Sequence, residues 1–361
     1  MGCICFFNTA IAWGGGEKWH LEASSHLHHN GHDVLVVAHT KSVLLQKLRK
    51  TDIPVVSVKM NNLSFLNPLK RLKLKKELAK HTIDTLIMNL SRDVKIAGIS
   101  AKALGVKRII YRRGSAIPIK NTFLNRYYFK HVLTEVLANS KATKQTILEN
   151  NPHLFPQEKI RVIYNGIDIP KEFDHGKSER FAGKGVLTLV NLGRLEAQKN
   201  QVFLIELVRE LKNRDFPIKL IIGGDGRLKG ALQDKIVQLD VGDQVELAGF
   251  VERPLEFISK GHVFVLPSLW EGFGYVLAEA ALCKIPIVAF DLSSNPELVV
   301  NGKTGYLIKS KKVNDFADAI EELYRNPSRI QQMGEQGYVH VKANFDKKNN
   351  LKEVEDYLVN G

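Results

Sequence analysis

The stretch Val186-Leu-Thr-Leu-Val-Asn-Leu-Gly-Arg-Leu-Glu-Ala-Gln-Lys-Asn200 decides the fold. Its first seven residues are almost wholly apolar, and Gly193 closes them. So short a run reads as a strand buried on both faces. A helix is expected from near Asn200. The same strand, turn and helix recur along the chain. Strands are expected at 3–8, 34–38, 55–58, 85–89, 108–111 and 136–139, then at 186–192, 218–222, 245–247, 263–266 and 285–290, with helical segments between most of them. Alternation of this kind gives parallel, doubly wound sheets. The chain therefore belongs to the α/β class, with two Rossmann-like domains facing across a cleft. The boundaries fall at 1–170 for the first domain, 171–185 for a polar, Gly-rich linker and 186–345 for the second. A final charged helix spans 346–361, with Leu351, Val354 and Leu358 on one stripe.

The chain has 361 residues, enough for two domains, of which 44% are hydrophobic and 25% charged. These values exclude wholesale disorder and disulfide miniproteins. Cys3, Cys5 and Cys283 sit at no metal spacing and read as buried thiols in a reducing compartment. The N-terminus lacks the basic region and uninterrupted apolar run of a signal peptide, and Phe6 stands where a myristoylation signal needs Ser or Thr. No run is long enough for a membrane-spanning helix. The net charge is +14, and the excess lies in the first half. Residues 1–170 hold 26 Lys+Arg against 11 Asp+Glu, whereas 171–361 hold 26 against 27. An anionic partner for the first half follows: nucleic acid, a membrane surface or a phosphorylated substrate.

In doubly wound domains ligands bind beyond the carboxyl ends of the strands, so the motifs there carry the chemistry. Arg194 and Lys199 follow the strand 186–192 and suit a diphosphate, although a solvated loop has the same composition. Pro267-Ser-Leu-Trp-Glu271-Gly-Phe-Gly274-Tyr-Val-Leu-Ala-Glu279 follows the strand 263–266. A helix starting near Phe273 would aim the Gly272, Phe273 and Gly274 amides at an anion. Glu271 and Glu279 suit pairs of neighbouring hydroxyls, or else a helix dipole and the surface. Gly14, Gly15 and Gly16 follow the first strand but do not form the dinucleotide fingerprint. Gly223-Gly224-Asp225-Gly226 would shape a turn, and Gly249-Phe250-Val251 would meet a base through its backbone.

Taken in this order, the motifs resemble glycosyltransferase family 4, the retaining transferases of the GT-B fold. The likeness runs through the Gly-rich first loop, Asn165-Gly-Ile-Asp168 (NGID), GRLEAQKN, GGDG, EGFGYVLAEA, Asn295-Pro-Glu297 and Gly302-Lys-Thr-Gly305. The resemblance implies that Arg194 and Lys199 hold the donor diphosphate, and that Glu279 binds the ribose. It gives Glu271 the donor sugar, with the Phe273 and Gly274 amides nearby. Gly15 and Gly16 would face the phosphate, and Gly224, Phe250 and Val251 would lie near the nucleotide. It further implies no metal and no cofactor, with the nucleotide sugar as substrate. A glycan or lipid-linked acceptor, made for envelope polysaccharide or lipopolysaccharide, is expected.

Many members carry a His close to the donor sugar. Here the comparable stretch is Arg108-Ile-Ile-Tyr-Arg112-Arg113-Gly114-Ser115, and by register Arg113 takes that place, with Arg112 the other candidate. Either would bind an anion but would not act as a base near neutral pH. His26, His28, His29 and His32 cluster at a helix end, where capping or solvent contact is expected rather than a metal. Residues 68–80 and 123–130 join basic side chains to leucines and aromatics. They suit either an anionic membrane surface or an ordinary solvated helix. A peripheral place on the cytoplasmic face is the expectation. The competing classes are a GT-B epimerase or phosphorylase and a basic nucleotide or nucleic-acid binder. The first lacks its acid/base or pyridoxal residues, the second any nucleic-acid-binding signature; no nucleic-acid partner is expected.

Overall fold

The protein is described by a computed structural model covering residues 2–170 and 181–361. Residues 171–180, most of the expected linker, lie outside the described residues. The chain forms two compact units. One joins Met1–Gly166 to Lys347–Gly361, and the other is Ile167–Asp346. Residues 167–170, expected in the first domain, group with the second: the Ile167 amide donates to Phe345 O at 2.8 Å, and Ile167 bridges to Asp346.

The first unit carries seven parallel strands: β1 (Cys3–Asn8), β2 (Val34–His39), β3 (Val55–Val58), β4 (Ile83–Met88), β5 (Arg108–Arg113), β6 (Glu135–Ala138) and β7 (Ile160–Val162). Their order is β3-β2-β1-β4-β5-β6-β7. The second has six, β8 (Leu187–Leu192), β9 (Ile218–Gly223), β10 (Val245–Gly249), β11 (Val263–Leu266), β12 (Ile287–Phe290) and β13 (Gly305–Ile308), in the order β10-β9-β8-β11-β12-β13. Two parallel, helix-covered sheets are the expected α/β architecture. Every residue of β1, β2, β11 and β12 is buried, as strands covered on both faces must be. The order reverses between β1 and β4 and again between β8 and β11. Each reversal is a switch point, where neighbouring loops leave in opposite directions and open a crevice.

Two edge strands, β7 and β13, go beyond the sequence reading. The first is three residues long, and its middle residue, Arg161, is exposed. The second begins at Gly305. Neither offers the apolar run that marks the inner strands.

The last helix, Lys347–Asn360, packs on the first unit through Val354 and Leu358. Arg108 fixes its end. The guanidinium binds Glu135 Oε1 at 2.8 Å and donates to Tyr357 O at 2.9 Å and Leu358 O at 3.1 Å, the last carbonyls of the helix. Tyr357 Oη donates to Glu135 Oε2 at 2.7 Å. Burial raises the Glu135 carboxyl, but the Arg108 and Tyr357 contacts outweigh it and hold it below its ordinary range. Glu355 joins His26 at 2.9 Å and His32 at 2.7 Å, so two of the four clustered histidines hold this helix. Leu358→Ala should lower the urea midpoint of the first unit, by roughly 2–5 kcal/mol in unfolding free energy. An unchanged transition would mean that the helix is not integral to that unit.

Candidate functional site

In the second unit the switch point between β8 and β11 is walled by two loops, 193–200 and 267–274. They are laced together by main-chain and amide contacts. Leu269 N donates to Gln198 O at 2.8 Å, Gln198 Nε2 to Trp270 O at 2.8 Å and Asn200 Nδ2 to Pro267 O at 3.3 Å. On the other flank Gly193 N donates to Gly223 O at 3.0 Å and Leu195 N to Asp225 O at 2.9 Å. Gly224 has φ +134°, and a Cβ there would lie 1.9 Å from Gly193 O. Only glycine lets these turns meet so closely.

This lacing brings Lys199 to Glu271. The Lys199 ammonium lies 2.6 Å from Glu271 Oε1, with side chains only 13% and 7% exposed. The Lys199 stem lies over Gly193, where a Cβ would come 3.2 Å from Cε. Arg194 is exposed on the same loop, and no partner for its guanidinium occurs among the described residues. One cation is thus held by a carboxylate, and one is open to an anion. Three buried polar atoms beneath these loops, Asn191 Oδ1, Gln201 Oε1 and Ser268 Oγ, have no hydrogen-bond partner among the described residues. Apart from Asn191 and Ser268, quoted only inside motifs, the sequence does not single them out, because no local pattern announces a buried amide or hydroxyl.

The helix expected from near Phe273 begins instead at Tyr275, with Gly274 as its N-cap at φ +79°. The left-handed cap needs a glycine, so Gly272 and Phe273 belong to the approach and not to the helix. Phe273 is buried against Tyr275 and Phe345, at 5.2 and 5.4 Å between ring centroids. Glu279 is half-buried in the second turn. Phe250, after β10, is 80% exposed. Val251 instead turns inward, since a Cβ on Gly223 would lie 2.7 Å from its Cγ2.

In the first unit the reversal between β1 and β4 holds a different arrangement. The helix Gly15–His29 starts at an extended Gly14. Gly15 is exposed, while Gly16 is pressed on Asn89, so that a Cβ on Gly16 would lie 2.4 Å from Asn89 Nδ2. Glu17 is buried and accepts from Asn8 Nδ2 and Asn89 Nδ2, both at 3.2 Å. Arg112 is 2% exposed. It donates to Asn89 Oδ1 at 3.1 Å and Asn165 Oδ1 at 2.7 Å, and its guanidinium lies 4.7 Å from the centre of the Trp19 ring. Arg113, one residue along the strand, takes the opposite face. It reaches Tyr111 Oη at 3.2 Å and the Ile117 carbonyl. The structure thus places Arg112, not Arg113, in the network at the strand ends. His20 lies fully buried beside it, with neither ring nitrogen partnered among the described residues. Burial, and then the Arg112 charge, hold its imidazole well below the ordinary value, so it is neutral.

Exposed apolar residues gather elsewhere on this unit. In the helix Pro68–Leu78, Leu74 and Leu78 are core, but Leu69 is 75% exposed, and Leu72, Leu63 and Leu66 are exposed with it. In the helix Phe123–His131, Tyr128 and Phe129 are buried while Phe123 is 72% exposed. Among the described residues no helix is long and apolar enough to cross a membrane.

Comparison with known proteins follows the same division. Residues 13–171 match the family model described as Glycosyltransferase Family 4, and residues 172–340 that described as Glycosyl transferases group 1. An N-acetylgalactosaminyltransferase of Campylobacter jejuni, acting on a diphospho-undecaprenol-linked saccharide by its name, is 28% identical over 82% of both chains. An uncharacterized glycosyltransferase of Methanocaldococcus jannaschii is 29% identical, over 67% of this chain and 65% of its own length. Among solved structures, Anabaena HepE in complex with UDP-glucose shares the fold, with a TM-score of 0.83, 19% identity and full coverage of both chains.

Asp93 ties the first loop of this unit to the chain after β4. It accepts from Thr9 N and Leu90 N, each at 3.3 Å, and pairs with the Thr9 hydroxyl. Burial outweighs these bonds and raises its carboxyl to about 7. The native state then keeps a proton that the unfolded chain gives up near pH ~4. Stability should therefore fall as pH rises from about 4 to about 7 and level off above, with a slope of up to about 1.4 kcal/mol per pH unit. Asp93→Asn should flatten that slope in urea titrations; an unchanged profile would place the ionisation elsewhere.

Proposed function

The chain belongs to the family 4 glycosyltransferases, and we propose that it transfers a sugar with retention from a nucleotide-sugar donor to a hydroxyl of a lipid-linked or envelope-glycan acceptor. The observation that carries this reading is the β8/β11 switch point. There a buried Lys199–Glu271 pair sits beside an exposed Arg194 with no partner among the described residues. Charge builds on the departing diphosphate as the glycosidic bond breaks. Fixed cations at that place stabilise the transition state more than the ground state. Arg194 supplies a two-pronged contact and Lys199 a point charge. Glu279 accepts from the ribose hydroxyls and Glu271 from the sugar, while the Gly272–Gly274 amides approach the donor. Gly224 shapes the turn against Gly193, and the backbone at Phe250 and Val251 borders the base. On the first unit Gly15 and Gly16 allow close approach of a phosphate. Arg113, on the face away from the Arg112 network, is left to an anionic substrate group. The departing phosphate takes the acceptor proton on the same face of the sugar, so no separate base, cofactor or metal ion enters the scheme.

Nucleoside diphosphate release from UDP-, GDP- and ADP-sugars, measured with EDTA present, tests this. One donor should be consumed slowly even without acceptor, and Glu279→Ala or Arg194→Ala should lower that rate by about a hundredfold or more. Equal rates in the variants would remove these residues from the donor site. Absence of binding of every nucleotide in calorimetry would remove the donor site itself.

The acceptor reading draws on the exposed leucines and aromatics of the first unit. Leu63, Leu66, Leu69 and Leu72 stand among Lys70, Arg71, Lys73 and Lys76, and Phe123 stands beside Arg126 and Lys130. Such a surface suits a peripheral place on the cytoplasmic face of an anionic membrane, where a lipid-linked acceptor lies. The protein should float with vesicles containing about one third phosphatidylglycerol and not with neutral ones. Leu69→Glu with Leu72→Glu should abolish flotation and leave donor hydrolysis unchanged. Flotation that survives both changes would sink this surface.

A further inference from the structure

We propose that Glu271 is a counter-ion that drives product release, by taking Lys199 back from the nucleoside diphosphate once the sugar has left. The proposal rests on the donor site described above. Its ground is the 2.6 Å contact between two side chains that are both nearly buried. A charge pair so placed is costly to open, because either partner alone would be left poorly solvated.

The pair has little freedom to part by loop movement. Leu269 N donates to Gln198 O, and Gln198 Nε2 to Trp270 O, both at 2.8 Å, so the backbones next to Lys199 and Glu271 are pinned to each other. The Lys199 stem lies over Gly193. The ammonium can change partner only by side-chain rotation. Arg194 on the same loop has no such restraint among the described residues, so it offers the incoming diphosphate its first contact.

The intact donor brings a substitute for what the pair loses. When Lys199 turns to the diphosphate, the sugar hydroxyls donate to the Glu271 carboxylate and keep it solvated. The product lacks those hydroxyls. After transfer, Glu271 has no donor of its own other than Lys199, and the balance returns to Lys199–Glu271. The same carboxylate therefore discriminates between donor and product. It yields Lys199 to one complex and withdraws it from the other, as differential binding requires.

Calorimetry with UDP, GDP and ADP first finds the nucleotide that the wild type binds. Glu271→Gln keeps the shape and removes the charge. It should bind that diphosphate about tenfold tighter or more, with no such gain for the corresponding nucleotide sugar. In a Lys199→Met background the same change should alter diphosphate affinity less than about twofold, because no ammonium is left to compete for. Equal or weaker diphosphate binding by Glu271→Gln would overturn the proposal. So would a gain that persists without Lys199, which would mark simple repulsion. If Glu271→Gln does not fold, Glu271→Asp, whose shorter side chain draws the carboxylate back from the ammonium, should show a smaller gain of the same sign. Should the wild type bind none of the three nucleotides, the donor reading itself falls, an outcome distinct from the others.

Discussion

The reversal of strand order between β8 and β11 is the constraint on which the second unit's chemistry depends. Parallel strands must send their carboxyl-end loops the same way out of the sheet, and only where the order reverses do neighbouring loops diverge and leave room. Here the room is lined by 193–200 and 267–274. A buried ammonium and carboxylate are stable there because the backbones that carry them are fastened first. Without that lacing, Lys199 and Glu271 would bear the desolvation cost of two charges without the short distance that offsets it. The fastened backbones leave only side-chain rotation to bring either charge to another partner.

The first unit answers the same constraint with neutral amides set between charges. At the ends of β1, β4 and β5, and after β7, stand Asn8, Asn89, Arg112 and Asn165. Amide side chains carry both a donor and an acceptor, so Asn89 gives its amine to Glu17 and its carbonyl to Arg112. Two opposite charges are joined through one neutral residue rather than in direct contact. His20, beside them, stays neutral under burial and the Arg112 charge. The result is a hydrogen-bonded polar layer against which Gly16 packs through Asn89.

Much of this is legible in the sequence, and the limits are physical. The spans 3–8, 55–58 and 263–266 fall on β1, β3 and β11 residue for residue: β1 and β11 are buried runs, and the edge strand β3 keeps three valines in four residues. The edge strands β7 and β13 lack an apolar run, the first for its three residues around an exposed Arg161 and the second for its start at Gly305, so they escape a reading by such runs. Sequence alone starts the helix two residues before Tyr275, since a left-handed Gly274 and a helical glycine look alike there. The choice between Arg112 and Arg113 needs the register of β5, and alternation sends neighbours to opposite faces. The Lys199–Glu271 contact spans 72 positions. No spacing rule reports it; only the pairing of β8 with β11 does.

Charge follows a different logic from chemistry. The excess of the first half leads to the expectation of an anionic partner, and the natural place to seek it is the crevice. Yet the crevice residues of that unit are largely balanced among themselves, Glu17 through asparagine amides and Arg112 through asparagine carbonyls. Part of the surplus lies on the helices Pro68–Leu78 and Phe123–His131, which carry five Lys+Arg against one Glu and two Lys+Arg against none, beside exposed leucines and an exposed phenylalanine. Basic residues alone keep a protein soluble; exposed leucines alone invite aggregation. Placed together on one unit, each offsets the drawback of the other, and the pair is favourable against a surface that is both apolar and anionic.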